Sequence, residues 1–310
     1  AYENVLDDMR STKDVVFEVY GVPTLVFQRP QWDKFPGADN TYGADAITPS
    51  GKVIQQPSTH MLGQNFSKPF NVTFTDENEK EQHAYLTCYG PCVSRIFASV
   101  VLTHGDDKGL RFPFEIAPLQ IVIVPILADK EPKVLVEAEK LKEKLEEEGF
   151  SVEIDDSDKR PGEKFYYWEM KGVPIRVELG PRDLAKKKVL LYRRDTEKKK
   201  EIAIKDIIKE VQKNGEELSK NLKKEANDNF KGIIKDCKSI AEVKKVVGKG
   251  IARANFCTCE MEGEACAEKI EKETGGEVRG IRIDTEEKAK GNCIVCGKKA
   301  TQVIYIAKSY

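Results

Sequence analysis

The sequence predicts a multidomain chain of mixed class, part α+β and part α/β. Three observations point there. The chain has 310 residues, which at roughly 100–200 residues per domain makes two or three domains. Near Pro118 the texture changes, and a β-branched strand, an amphipathic helix and a second strand follow one another. Of the eight cysteines, five crowd the end of the chain from Cys257 onward.

The elements follow in order. Residues 2–20 carry Val5, Met9, Val15, Val16 and Val19 at roughly helical spacing, and Gly21-Val22-Pro23 stops that helix. Leu25 to Phe27 predicts a short strand. Residues 28–51 are rich in Pro, Gly, Asp and Asn and read as loop. Residues 70–76 alternate apolar and polar, the pattern of a half-buried strand. Glu77 to Lys80 make its turn, and Gln82 to Tyr89 its hairpin partner. Ser94 to Thr103 is an uninterrupted apolar run, compatible with a buried helix or strand.

Beyond Pro118, Leu119 to Ile126 is a buried strand. Pro132 to Glu148 is a helix with Val134, Leu135, Ala138, Leu141 and Leu145 on its inner face, capped by Gly149. Ser151 to Ile154 is the next strand, so an α/β domain starts near residue 119. Val173 to Leu179 and Lys188 to Tyr192 add strands, and Ile202 to Asn227 reads as a long helix. A third, cysteine-bearing unit closes the chain. The expected domains are 1–118, 119–224 and 225–310.

Lys plus Arg is 51 and Asp plus Glu is 52, a net charge of −1. This excludes a globally basic chain but not a local patch, and Lys186, Lys187, Lys188, Arg193 and Arg194 form one. The longest apolar run, Ile121 to Ala128, is interrupted by Pro125 and falls short of the ~18 residues of a membrane span. No signal-peptide pattern opens the chain, so the expectation is a cytoplasmic protein with no membrane partner. Ala-Tyr-Glu-Asn is no usual translation start, and a fragment is expected.

A charged, signal-free chain argues for metal rather than disulfides at the terminal cysteines. Cys293-Ile-Val-Cys296-Gly297 is a C-x-x-C-G knuckle whose spacing turns two thiolates toward one cation. Its partners lie among Cys257, Cys259 and Cys266. Five cysteines compete for four places: Cys257, Cys266, Cys293 and Cys296 are the favoured set, with Cys259 the spare or a substitute. Four thiolates at about 2.3 Å close a tetrahedral site, so a Zn2+ here is structural.

A second concentration of signal is the polar stretch Gln55 to Phe66, with Ser58 and His60, and the run from Thr87 and Cys88 to Arg95. Arg95 heads an apolar segment, where a guanidinium needs an anionic partner. A nucleotide phosphate suits its fork, and an internal carboxylate is the alternative. No P-loop or G-x-G-x-x-G is present, so ATP would bind without either.

These blocks together are familiar. Lys34-Phe-Pro-Gly37-Ala38-Asp39, STHMLGQNFSKPF from Ser58, TCYG from Thr87 followed by Ser94-Arg95, HGDDKGL from His104, IAP from Ile116, WEMKGVPIRVELGPRDL from Trp168, RRDT from Arg193 and the final AKSY stand in one order. The chain resembles prolyl-tRNA synthetases of the archaeal/eukaryotic type, class II aminoacyl-tRNA synthetases, through nearly all its length.

The resemblance implies part of a class II antiparallel-sheet catalytic domain, an α/β anticodon-binding domain and a small zinc-binding α+β C-terminal domain. It implies activation of L-proline by ATP with Mg2+, transfer to tRNA(Pro), and a homodimer through the catalytic domain. Arg95 matches the motif 3 arginine on the ATP γ-phosphate. Gln55, Ser58 and His60, with Ser94, match positions lining the adenylate and proline pocket, and Thr87, Cys88 and Tyr89 its floor. Glu178, Arg182 and Arg194 match the anticodon region as base readers. The chain departs from the family at Pro57, where Gly-Thr-x-His is usual, and at Cys92, where Gly is common. Motifs 1 and 2 are expected before residue 1. The alternative reading is a non-catalytic tRNA-binding or regulatory paralogue that keeps the anticodon and zinc domains.

Overall fold

The computed structural model describes residues 2–310. Helix α1 (Tyr2–Thr12) runs on into a π-helical stretch, Lys13–Val19. Strands β1 (Thr24–Gln28), β2 (Asn40–Ile47) and β3 (Val53–Gly63) follow, then a small hairpin of β4 (Thr73–Thr75) and β5 (Glu81–His83). Strand β6 (Leu86–Gly90) leads into α2 (Val93–His104). Next come β7 (Ile121–Pro125), α3 (Lys133–Glu147), β8 (Val152–Ile154), α4 (Pro161–Lys171), β9 (Ile175–Leu179) and α5 (Pro181–Ala185). Strands β10 (Lys188–Arg193) and β11 (Lys199–Ala203) precede the long helix α6 (Ile207–Lys231). The chain closes with β12 (Ile234–Cys237), α7 (Ile240–Val246), β13 (Ile251–Phe256), α8 (Glu264–Thr274), β14 (Glu277–Arg282) and β15 (Gln302–Ala307). No helix among the described residues is long and apolar enough to cross a membrane.

The chain forms two compact units. The first comprises residues up to Glu18, Val22–Ser99 and Asn227–Tyr310. Its eight-stranded sheet has the order β12-β13-β15-β14-β1-β2-β3-β6. Only the β12–β13 pair is parallel. The seam is the β1–β14 pair, where Phe27 faces Arg282, so the terminal strands extend the sheet of the first hundred residues. Helix α1 packs Val5 and Met9 on Val26, Tyr42 and Ala44. The period expected over residues 2–20 holds at Val5 and Met9 of α1 and at Val16 of the π-helical stretch, which are buried, while Val15 and Val19 are exposed.

The second unit, Val19–Gly21 with Val100–Ala226, holds a five-stranded sheet in the order β11-β10-β9-β7-β8. Strands β7, β8 and β9 are parallel, as the strand–helix–strand pattern requires. Helix α3 covers one face through Val134, Ala138, Leu141 and Leu145. On the other face, Phe165 and Trp168 of α4 lie against Val122 and Val124. No expectation covered α4.

Three expectations fail. Residues 28–51 are not all loop, because β2 lies inside them and is a central strand. Its Gly43 and Asp45 look like turn residues but serve the site below. The β4 strand does not pair with one strand over 82–89. That stretch is divided: β5 closes the hairpin, whereas β6 pairs with β3. The long helix begins at Ile207 rather than Ile202, because Ile202 pairs with Val189 as strand β11. The open choice at Ser94 to Thr103 is decided as helix.

Candidate active site

The candidate site lies on one face of β2, β3 and β6. Residues directly opposite on paired strands share a face. Thr41 lies opposite His60, and His60 opposite Cys88. Gly43 lies opposite Ser58, and Ser58 opposite Gly90. Gln55, opposite Asp45, joins this face because the register shifts between Gly43 and Asp45. Residues three apart on a regular strand face opposite ways, and the bulge at Gln56-Pro57 is what restores Gln55 to the side of Ser58 and His60. Pro57 therefore stands where the ladder is already interrupted and its missing N–H removes no bond. Gln56 turns inward instead and donates to Ser99 Oγ at 2.7 Å.

His60 is held on this face. Its Nδ1 lies 3.0 Å from Thr41 Oγ1, and Thr41 Oγ1 also accepts from the Phe35 N–H at 2.8 Å. The Phe35 ring packs on the imidazole, with centroids 4.9 Å apart. Burial holds the imidazole below its ordinary pKa, so it is neutral near pH 7. Beside it, Arg29 spans Gly43: a Cβ built there would lie 3.2 Å from Arg29 Nη2. Gly43 is thus a close approach of side chain to backbone.

Arg29 belongs to an ion cluster that no sequence pattern marked. Asp45, fully buried, accepts from Arg29 at 2.6 and 3.0 Å and from Arg279 of β14 at 2.8 and 3.2 Å. Arg29 Nη1 also donates to Arg279 O at 2.9 Å. Burial alone would raise the Asp45 pKa, but the two guanidiniums overcome it and hold the carboxyl well below the usual range. The only available signal was an Asp between Ala44 and Ala46 in a stretch that otherwise read as loop.

Two expected floor residues lie elsewhere. Cys88 faces the site, but Thr87 and Tyr89 alternate to the other side. Tyr89 Oη is 3.1 Å from Thr12 Oγ1 of α1. Thr87 sits opposite Met61, which packs with the α1 contacts. Thr59, also on that side, donates to Asp8 Oδ2 at 2.7 Å. Ser94 and Arg95 occupy the first turn of α2 and are exposed. Arg95 has no ion-pair partner among the described residues. The inference that it enters a buried element fails because the apolar run is a helix whose first turn faces outward. Cys92, before that turn, has φ +52°, the conformation that makes Gly common there.

At the far end of the same sheet, Cys257 after β13, Cys266 in α8, and Cys293 and Cys296 on the knuckle converge. Their sulfurs all lie within 4.8 Å of one another. A tetrahedral ion with bonds of about 2.3 Å sets sulfurs about 3.8 Å apart, so the donor set fits Zn2+. Gly297, with φ +71°, closes the knuckle by donating to Cys293 O at 3.1 Å. Cys259 stays outside. It is buried, its thiol is pushed up to about 12 by that burial, and its N–H is taken by Gln302 Oε1 at 2.6 Å.

In the second unit the three expected base readers differ. Arg182 is exposed in the short helix α5, just beyond the end of β9. Glu178 is buried and accepts from Arg176 Nε at 3.1 Å and Lys199 Nζ at 2.8 Å. Arg194 is fully buried, with both terminal nitrogens on Asp106 at 2.6 and 2.8 Å and its Nε on Glu169 O at 3.0 Å. Its donors are spent inside the fold, and the reading as a base reader is corrected. The basic patch shrinks likewise, since Arg193 pairs with Asp195 and Glu217.

Comparisons with known proteins fit this layout. The family model described as tRNA synthetase class II core domain (G, H, P, S and T) matches residues 1–104. The anticodon binding domain model matches 120–214, and the prolyl-tRNA synthetase C-terminal model 240–310. The Proline--tRNA ligase of Thermofilum pendens is 41% identical over all of this chain and 64% of its own length. That of Methanobrevibacter smithii is 43% identical over 95% of this chain and 62% of its own. A solved structure of the Giardia lamblia prolyl-tRNA synthetase in complex with prolyl-adenylate superposes with a TM-score of 0.91 at 33% identity, over 100% of this chain and 66% of that one. A class II core followed by an anticodon-binding domain defines a class II aminoacyl-tRNA synthetase. Within that class the chain belongs to the prolyl-tRNA synthetase family. It spans about three fifths of the length of the curated relatives it matches.

Proposed function

We propose that a protein carrying this chain is a proline–tRNA ligase, which activates L-proline with ATP to prolyl-adenylate and transfers it to tRNA(Pro). The observation that carries the reading is the face holding Gln55, Ser58, His60 and Cys88, in a chain so similar to a synthetase solved with prolyl-adenylate. A neutral His60 fixed at Nδ1 by Thr41 presents Nε2 to a bound group as a neutral donor or acceptor. Arg95, exposed and without an ion pair, has its full fork available for a triphosphate. Neutralising phosphate charge as the proline carboxylate attacks is the term that lowers the barrier. Mg2+ accompanies the ATP.

In the same reading Arg182 contacts an anticodon base, and Glu178, locked by Arg176 and Lys199, shapes the surface beside it. Cys257, Cys266, Cys293 and Cys296 hold a closed structural Zn2+. A homodimer through the catalytic core and a cytoplasmic location complete the proposal.

The test is proline-dependent ATP–pyrophosphate exchange in the longer natural protein. Arg95→Ala is expected to lower kcat/KM for ATP by at least about 100-fold, the scale of one lost charge-stabilising donor. A longer protein that binds tRNA(Pro) yet shows no exchange with proline sinks the ligase reading and leaves the paralogue.

A further inference from the structure

The first unit contains a cavity on the side of α1 turned away from β3 and β6. Its volume is about 630 Å³, within the range of small-molecule sites. The floor is apolar: Leu6 and Met9 of α1, Leu25 of β1, Phe230 at the end of α6, and Ile283 after β14. The rim carries four cations, Arg10, Lys13, Lys231 and Arg282, against one carboxylate, Asp284. Asp284 is already engaged by Arg282 at 2.7 and 2.8 Å, and Arg10 pairs with Asp7 at 2.9 Å. Lys13 and Lys231 are exposed and have no partner among the described residues.

The cavity wall is anchored. Helix α1 is bound to the sheet from its other side through Asp8 to Thr59 and Thr12 to Tyr89, at 2.7 and 3.1 Å. A preformed apolar hollow loses little order on filling. The surplus of positive charge at its mouth selects the sign of the occupant. None of these residues belongs to the candidate active site, the cysteine cluster or the anticodon region.

We infer that this cavity is a binding site for a small amphipathic anion, a monomeric carboxylate on an apolar body, whose head lies between Lys13 and Lys231. The apolar body replaces water against Leu6, Met9 and Phe230, where burial is favourable in proportion to area. The carboxylate neutralises the two unpaired ammonium groups. The inference does not depend on the ligase reading, because it concerns binding alone.

Calorimetric titration of the longest natural form with dodecanoate, below its micelle concentration, tests it. Dodecanoate is expected to bind one to one. Dodecanol and dodecyltrimethylammonium are expected to bind at least tenfold more weakly. Lys13→Glu combined with Lys231→Glu should weaken dodecanoate at least tenfold and leave dodecanol unchanged. Leu6→Trp, which fills the hollow, should abolish both. Should Leu6→Trp not fold, the exposed lysine pair still decides the matter. The inference is overturned by no binding to the longest form, by equal binding of the three probes, or by dodecanoate binding that survives undiminished either the charge reversal or the filled hollow. Binding only to anionic vesicles also overturns it, in favour of a membrane surface.

Discussion

Arg279 and Asp45 lie 234 residues apart in sequence and form a two-pronged ion pair at 2.8 and 3.2 Å. The pair joins strand β14 to β2, whose Thr41 and Gly43, on the same face, lie opposite His60 and Ser58 of the candidate site. With Arg29 on the other side of the same carboxylate, it fixes the closing strands of the chain to the half of the sheet that carries the candidate site.

Asp45→Ala is expected to destabilise the first unit by about 3–5 kcal/mol, because it leaves two buried guanidiniums uncompensated. Urea unfolding monitored by circular dichroism reads this directly. Arg279→Ala should cost less, since Arg29 still answers the carboxylate. Equal stability of Asp45→Ala and the parent chain would remove the cluster from the account of the fold.

The same group sets a pH dependence. Its folded pKa lies below its unfolded value, so its contribution is fully present above the unfolded value and falls away on acidification. Stability from this source is expected to be flat between pH 8 and about 5, and to drop below about pH 4, the ordinary Asp range. The Asp45→Asn chain should show a shallower acid limb in melting temperature against pH.

Thr41→Val removes the hydroxyl that holds His60 without changing the strand. We expect kcat/KM for proline to fall about 10–100-fold with melting temperature within a few degrees of the parent, the scale of a misplaced reacting group. Because burial lowers the His60 pKa, activity should stay level through pH 7 and decline only on the acid side. A Thr41→Val enzyme with parental kinetics would argue against His60 as a substrate contact.

Arg182 and Arg194 are expected to separate. Arg182→Ala should weaken tRNA(Pro) binding by about 1–3 kcal/mol, with no loss of stability, as for one base-reading side chain. Arg194→Ala should instead destabilise the second unit, since it strands Asp106 and empties a buried position. Filter binding and thermal melts on both variants make the comparison. A large, purely affinity-based defect in Arg194→Ala would restore it as a reader.

Elemental analysis is expected to find one zinc per chain. Cys293→Ala should lose it and melt β13, α8 and the knuckle, whereas Cys259→Ala should retain it. Zinc kept in Cys293→Ala, or lost in Cys259→Ala, would contradict the ligand set of Cys257, Cys266, Cys293 and Cys296.

The sequence by itself determined the class of the chain, its order of parts and the cysteine set. Those features are carried by local patterns: the β-branched run before α3, the 3.6-residue period of α3, the C-x-x-C-G spacing, and a series of motif blocks in one order. It also singled out Ser58 and His60, which the paired strands set on one face, and Arg95, which the fold leaves exposed in the first turn of α2. It misread β2, because Gly43 and Asp45 carry turn residues into a central strand for reasons that lie in Arg29 and Arg279. It assigned Thr87 and Tyr89 to the wrong face, since motif matching ignores the alternation that a paired strand imposes. It offered Arg194 as a reader, because charge is visible in sequence and a buried partner is not. Only the tertiary structure decided that the terminal strands extend the first sheet and that Asp45 binds two arginines. The physical reason is that strand pairing and buried ion pairs join groups hundreds of residues apart, and no local pattern records which groups meet.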